Sequence, residues 1–196
     1  MFNFSRGTSS IELKVSKLED ELMKRKEQIT RLRRKVPKRE IANHILGLPS
    51  GKSVKLGDLF GRKKELILIH NMGASCPYCT LWADGFNGVL KHLEDRAAFV
   101  LETPDSPVVQ KRFAASRKWK FKVVSSKGTG FRKETGFQTA DGDPMPGVSI
   151  FVKDAKGRIY QTSRTKFGPG DSYCNVWDLM DLLPRGAEGW GPKFRY

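Results

Sequence analysis

Glu65-Leu66-Ile67-Leu68-Ile69-His70, then Cys76-Pro77-Tyr78-Cys79, then Thr80-Leu81-Trp82-Ala83-Asp84-Gly85-Phe86 is the stretch that decides the fold. The first run is short, apolar and rich in isoleucine, which predicts a buried strand. The last opens an amphipathic helix running towards Leu93. A C-x-x-C at a strand-to-helix junction in a cysteine-poor chain reads as a redox pair. A helix N-terminus carries partial positive charge and unpaired N–H groups, which stabilise a thiolate on the first cysteine. Pro77 suits the first turn, where its missing donor is not needed. Cys79, one turn on, is placed to attack a mixed disulfide formed at Cys76.

Composition bounds the rest. The chain has 196 residues, the size of one ordinary domain plus an appendage, and its apolar share of 38% suffices for one core. No apolar run reaches the length of a membrane span, and residues 1–20 lack the apolar stretch of a secretory signal. The expected location is cytoplasmic. Three cysteines agree, because two share one motif and no disulfide framework is left over. The net charge of +15 raises the question of nucleic acid. The basic residues are spread along the chain without a recognition motif, so a solvated basic surface is expected instead.

Residues 1–7 are expected to fray. Ser9 and Glu12 form a capping-box pattern, and Ile11, Val15, Leu18, Leu22, Ile29, Leu32 and Val36 then recur every three or four residues, with Arg25 interrupting. That predicts a long N-terminal helix ended by Pro37, either packed along its own domain or forming a homodimer seam over residues 11–36. Domain boundaries are expected at 1–46 for this extension, 47–184 for the main domain and 185–196 for a Gly/Pro-rich tail. Within 47–184, residues 48–60 read as a turn, a short strand and a helical turn. Residues 97–102 and 121–124 read as strands, with a helix between them beginning near Ser106-Pro107. Residues 125–145 are rich in Gly, Ser, Thr and Lys, which predicts a long connection or insert. Residues 148–152 and 158–162 form a hairpin turned by Asp154-Ala155-Lys156-Gly157, and a closing helix over 175–183 stops at Pro184. The order βαβαβ…ββα implies an α/β fold, with a central mixed sheet flanked by helices. Ligands in such sheets bind beyond the carboxyl ends of parallel strands, where Cys76 lies.

The run Gly73-Ala74-Ser75-Cys76-Pro77-Tyr78-Cys79-Thr80-Leu81-Trp82-Ala83-Asp84-Gly85-Phe86-Asn87-Gly88 resembles a largely bacterial family of thioredoxin-like proteins. That family is known as a domain of unknown function and as predicted dithiol-disulfide oxidoreductases. Residues 56–60, 146–151 and 177–184 support the resemblance, which covers most of residues 9–184. It implies a thioredoxin-like fold and a thiol–disulfide exchange activity, in a family with no settled substrate. A disulfide-containing protein or small thiol is the expected partner and no cofactor is expected; the alternative is a non-catalytic interaction or redox-sensor protein assembled through its N-terminal helix. Cys-Pro-Tyr-Cys is also similar to the glutaredoxin tetrapeptide, but the Thr-Val-Pro of glutaredoxins is replaced by Pro144-Met145-Pro146. Peroxiredoxins carry Pro-x-x-x-Thr/Ser-x-x-Cys, whereas Ile69 and Gly73 stand at those positions here, against a peroxidatic Cys76.

The expected roles follow. Cys76 is the nucleophile and Cys79 the resolving thiol. Pro77 and Tyr78, between them, meet the substrate. The resemblance implies that Pro146 follows a cis peptide bond, so that the backbone of Met145 pairs with an extended substrate; Pro144 competes for that place, and an ordinary loop proline is the plainer reading. It also places His70 where thioredoxins hold a buried acid that takes a proton from the second cysteine, against the plainer reading of a hydrogen-bonded strand-end histidine. Trp82 and Phe86 are expected to pack on the sheet, Asp84 to bond locally and Cys174 to be a semi-buried free thiol. No metal site is expected, since Cys174 with His44, His70 or His92 would have to complete it.

Overall fold

The structure is a computed structural model that describes residues 9–196. The expected frayed stretch at 1–7 lies outside the described residues. The chain divides into a unit ending at Pro37 and a second unit, Lys38–Tyr196. The first is helix α1 (Ser10–Arg33). Ser9 accepts from the Glu12 N–H while Glu12 accepts from the Ser9 N–H, so the capping box is formed, and no residue of the helix is buried. The helix stops at Arg33, short of Val36, and tightens into a turn in which the Lys35 and Val36 N–H groups donate to the Leu32 and Arg33 carbonyls, since the residue before proline is driven out of the α region.

The second unit holds one eight-stranded sheet. Its strands are β1 (Arg39–Ile41), β2 (Ile45–Gly47), β3 (Ser53–Lys55), β4 (Glu65–His70), β5 (Ala98–Thr103), β6 (Lys122–Ser125), β7 (Gly147–Lys153) and β8 (Ile159–Lys166), in the spatial order β1-β8-β7-β4-β5-β6-β2-β3. β4, β5 and β6 run parallel, and β7 lies antiparallel against β4. The crossovers are helix α2 (Pro77–Arg96) and helix α3 (Pro107–Ser116), the latter capped by Ser106. Helix α4 (Phe131–Thr135) follows β6, and helix α5 (Asn175–Met180) follows β8. The β7–β8 turn is held by Asp154, whose carboxylate accepts from the Lys156 and Arg158 N–H groups.

Side-chain period two divides the sheet into two cores. Leu66, Leu68, Val100, Val124 and Phe151 face a cluster with Leu56, Phe60 and Phe131. Ile69, Phe99, Leu101, Val123 and Val148 face the other, with Trp82, Ala83 and Leu90 of α2. Two expectations change. The boundary at 46 moves to 37, because β1 pairs with β8 and β2 with β6, which ties residues 39–47 into the sheet. The expected insert at 125–145 contains α4, whose Phe131, Arg132 and Thr135 are buried. Residues of the expected tail also pack on this unit: Trp190 lies against Trp177 and Phe194 against Phe113.

Candidate active site

The loop from β4 to α2 is folded by its own polar groups. Asn71 Oδ1 accepts from the Gly73 N–H at 2.7 Å, and Gly73 takes φ +112°. A Cβ there would stand 3.1 Å from Asp105 Oδ1, so both conformation and space require glycine. Asp105 Oδ2 accepts from the Ala74 N–H at 2.7 Å, and the Gly73 carbonyl accepts from the Cys76 N–H at 3.1 Å. Cys76 is thereby delivered as the N-cap of α2, with Pro77 in the first turn. Its Sγ accepts from the Cys79 N–H at 3.1 Å, as an N-cap side chain does. Its carbonyl accepts from the N–H and the hydroxyl of Thr80.

The two thiols are driven apart. Cys76 is half-buried and Cys79 buried, and both are reduced. The hydrogen bond from the Cys79 thiol holds the Cys76 thiol down; burial opposes it, the N–H groups of Cys79 and Tyr78 assist, and the result is about 6. The same hydrogen bond and burial push Cys79 far up, opposed by the Met72 N–H, which donates to Cys79 Sγ at 3.4 Å, and by the charge of Arg132. One half-buried thiolate beside one buried thiol is the state that nucleophilic attack and later resolution need.

On the opposite face of the same strand ends lies a buried polar cluster. Glu102 Oε2 lies 2.9 Å from His70 Nδ1, Ser149 Oγ lies 2.8 Å from His70 Nε2, and Arg132 Nε donates to Glu102 Oε1 at 2.9 Å. Ser126 donates to Glu102 and Gln161 to Ser149. Burial holds His70 below its ordinary value, only partly offset by Glu102, so the ring is neutral. Burial would raise Glu102, but Arg132, His70 and Ser126 together outweigh it and keep it ionised. The neutral ring then donates from Nδ1 to Glu102 and accepts from the Ser149 hydroxyl at Nε2. Serine, histidine and glutamate in that order have the composition of a hydrolytic triad. Ser149 is fully buried and already accepts from Gln161, so this serine has no access to a substrate.

His70 is thus placed differently from the sequence expectation. Residues 66, 68 and 70 share the strand face away from α2, both ring nitrogens are occupied, and the ring stacks on Phe137 at 3.9 Å. The resolving cysteine is instead joined to the cluster through Asn71. The Asn71 amide donates to the Cys79 carbonyl at 3.4 Å, and its own carbonyl accepts from Arg132 Nη2. Arg132, Glu102 and Ser149 were not singled out from sequence. A usable signal existed: counting by two along β4, β5 and β7 puts His70, Glu102 and Ser149 on one face.

The remaining expected residues separate. Tyr78 is exposed and stacks on Trp177 at 6.1 Å. The peptide bond before Pro146 is trans, as are all bonds among the described residues, which corrects the cis expectation. Trans is the favoured isomer of an X–Pro bond; the Met145 N–H donates to the Phe137 carbonyl, and the Met145 carbonyl accepts from Arg132 Nη1 at 3.4 Å, so Met145 also has no free edge for a substrate strand. Pro146 nevertheless lines a cavity beside the redox pair. Trp82 packs against Phe167 and Trp177 as expected, its N–H bonded to Asp171. Asp84 bonds not locally but to Arg117 and, at 2.8 Å, to Trp119 Nε1, fastening α2 to the end of α3. Cys174 is buried ahead of α5, with its thiol raised by burial. Among the described residues, no three His, Cys, Asp or Glu side chains are grouped to hold a metal ion. No described helix is long and apolar enough to cross a membrane.

The model of a family described as bacterial protein of unknown function, DUF899, matches residues 13–193. No curated protein matches the chain. Among solved structures, the chain is similar to the peroxidoxin BcpB of Mycobacterium tuberculosis, at TM-score 0.51 and 24% identity, covering 62% of this chain and 80% of that one. It is similar to a PrxQ of Xylella fastidiosa at TM-score 0.53 and 19% identity, covering 66% and 84%. A peroxiredoxin Q of Xanthomonas campestris gives TM-score 0.51 and 19% identity, covering 63% and 79%. These likenesses establish a thioredoxin-like fold.

Proposed function

The chain belongs to the bacterial DUF899 family, and we propose that this member is a thiol–disulfide oxidoreductase. The observation that carries the reading is Cys76 Sγ at the start of a 20-residue helix, half-buried, accepting from the Cys79 N–H, with its thiol lowered to about 6. At neutral pH such a thiol is mostly ionised. The Cys76 thiolate attacks one sulfur of a substrate disulfide; the Cys76–sulfur bond forms as the substrate bond breaks, and the leaving thiolate takes a proton from water. Cys79 then gives its proton to water and attacks Cys76 Sγ, closing the Cys76–Cys79 disulfide and expelling the second substrate thiolate, which is protonated in turn. One substrate disulfide becomes two thiols and the protein dithiol becomes a disulfide. An external dithiol reverses the protein's half of the exchange by the same two displacements.

Once Cys76 is bound in the mixed disulfide it no longer accepts the Cys79 hydrogen bond as an anion, so the interaction that raises Cys79 falls away. Insulin reduction with a dithiol reductant is the test. Cys76→Ser abolishes turnover, and Cys79→Ser arrests as a mixed disulfide seen by intact mass. Wild type no faster than the double serine variant would refute the reading.

A further inference from the structure

We infer that the cavity beside Cys79 receives a compact apolar group carried by the substrate next to the sulfur that Cys76 attacks. The inference rests on the thiol–disulfide reading and adds to it a substrate class. The cavity is about 200 Å³, and its apolar wall is made by Ile69, Met72, Trp82, Pro146 and Phe167, with Cys79 in the same wall. A volume of about 150 Å³ suffices for benzene in a dry apolar cavity, so an aromatic ring or a branched aliphatic group fits. Apart from the Tyr78 hydroxyl, the polar side-chain groups that line it are already engaged. Both ring nitrogens of His70 are held by Glu102 and Ser149. The Asn71 amide is spent on the Cys79 carbonyl and its oxygen on the Gly73 N–H, while the Trp82 N–H is spent on Asp171. Beyond the reach of Tyr78, a charged or strongly polar group entering there would lose its water and gain no side-chain partner, whereas an apolar one gains by leaving water.

Single-turnover reduction by the dithiol protein tests this with a set of disulfides. The probes are hydroxyethyl disulfide, di(2-phenylethyl) disulfide, and homodimeric acetyl-Xaa-Cys-amide peptides with Xaa Gly, Asp, Leu or Phe. The apolar probes react about 10- to 100-fold faster than the polar ones, the range one apolar group is worth in a fitted pocket. A gain confined to the Leu and Phe peptides assigns the occupant to a polypeptide side chain; a gain confined to di(2-phenylethyl) disulfide assigns it to a small molecule. Gly168 lines the cavity, and a Cβ built there meets nothing within 4 Å, so Gly168→Leu is chosen to place an apolar side chain at its edge. It brings the apolar-to-polar rate ratio close to one. Equal rates for all probes in wild type, or an unchanged ratio in Gly168→Leu, overturn the inference while leaving the redox reading in place. Failure to reduce any probe, hydroxyethyl disulfide included, brings down the redox reading itself.

A separate observation concerns α1. We propose that its apolar seam pairs with a second copy of this chain as a parallel two-stranded coiled coil. Ile11, Val15, Leu18, Leu22, Ile29 and Leu32 are 48% to 69% exposed on a helix with no buried residue. Val15, Leu22 and Ile29 fall at heptad a, and Ile11, Leu18 and Leu32 at d; β-branched Val15 and Ile29 at a with Leu18 and Leu32 at d are the combination that favours two parallel strands, from which Leu22 and Ile11 depart. Arg25, at the remaining d position, turns aside to Gln28 Oε1 at 3.1 Å. In parallel register the flanking charges are complementary: Lys14 meets the second copy's Glu19, and Glu21 meets the second copy's Lys26, each twice by symmetry.

Sedimentation equilibrium of the full chain under reducing conditions, from micromolar to submillimolar concentration, shows a dimer that Leu22→Glu dissociates. Lys14→Glu weakens it several-fold and Lys14→Glu with Glu19→Lys restores it. In an antiparallel pair centred on the seam, those two positions stand about ten residues, about 15 Å, apart along the axis, and Glu19→Lys does not restore what Lys14→Glu weakens. A monomer throughout, or a dimer indifferent to Lys14→Glu, overturns this proposal.

Discussion

The two faces of the sheet at the carboxyl ends of β4 and β5 both hold titratable groups pulled from their ordinary values, yet they do opposite things. On the α2 face, Cys76 reaches solvent and its partner thiol is close and protonated. On the other face, His70, Glu102, Arg132 and Ser149 are buried, and every charge and ring nitrogen has a partner. Perturbation alone does not make a site. What separates reactive from structural is an open side, together with a partner whose proton can later be lost.

Exchange of roles breaks that comparison most sharply. Arg132→Leu leaves Glu102 as an uncompensated buried charge and costs about 3–5 kcal/mol of stability by urea denaturation. The double variant Arg132→Leu with Glu102→Leu recovers most of that loss, because no buried charge is left alone. Cys76→Ser changes stability by less than about 1 kcal/mol while removing activity. A stable Arg132→Leu protein would mean that the buried cluster is not holding the fold.

Acid sharpens the contrast next. The folded-state value of His70 lies below its unfolded one, so the unfolded chain binds the proton more readily. Stability from this source is complete above about pH 6.5 and falls as pH drops below it. Glu102, lowered in the folded state, adds a second loss below about pH 4.3. Thermal melts from pH 7.5 to 4 fall in that order, and His70→Asn flattens the first segment. A melting temperature that rises on acidification through pH 6 contradicts the assignment. The smallest effect belongs to Ser149→Ala, which removes one buried donor, costs about 1–2 kcal/mol and leaves insulin reduction intact. Loss of activity there would give the triad-like cluster a chemical role.

The sequence showed what is local and hid what is made at a distance. The junction of β4 and α2, the Ser9 capping box, the Ser106 cap and the Asp154 turn each depend on residues within a few positions, and all were legible. β1 and β2 were not, because neither is preceded by a turn signal like the Pro49-Ser50-Gly51 that precedes β3, and they are held by pairing with β8 and β6 far along the chain. α4 was hidden in a Gly-rich stretch because its register is fixed by burying Phe131 and Arg132 rather than by helix propensity. Asp84 shows the same limit: its partners, Arg117 and Trp119, lie more than thirty residues along the chain. That Met145 has no free backbone edge depends on Phe137 and Arg132 claiming it, which no local pattern discloses.

The account stands on the asymmetry between Cys76 and Cys79, and alkylation by iodoacetamide as a function of pH measures it directly, with the modified residue located by mass. Cys76 is modified first and its rate rises through an apparent pKa of about 6, while Cys79 stays protected. A midpoint near the 8.5 of a free thiol, or modification of Cys79 ahead of Cys76, would contradict it.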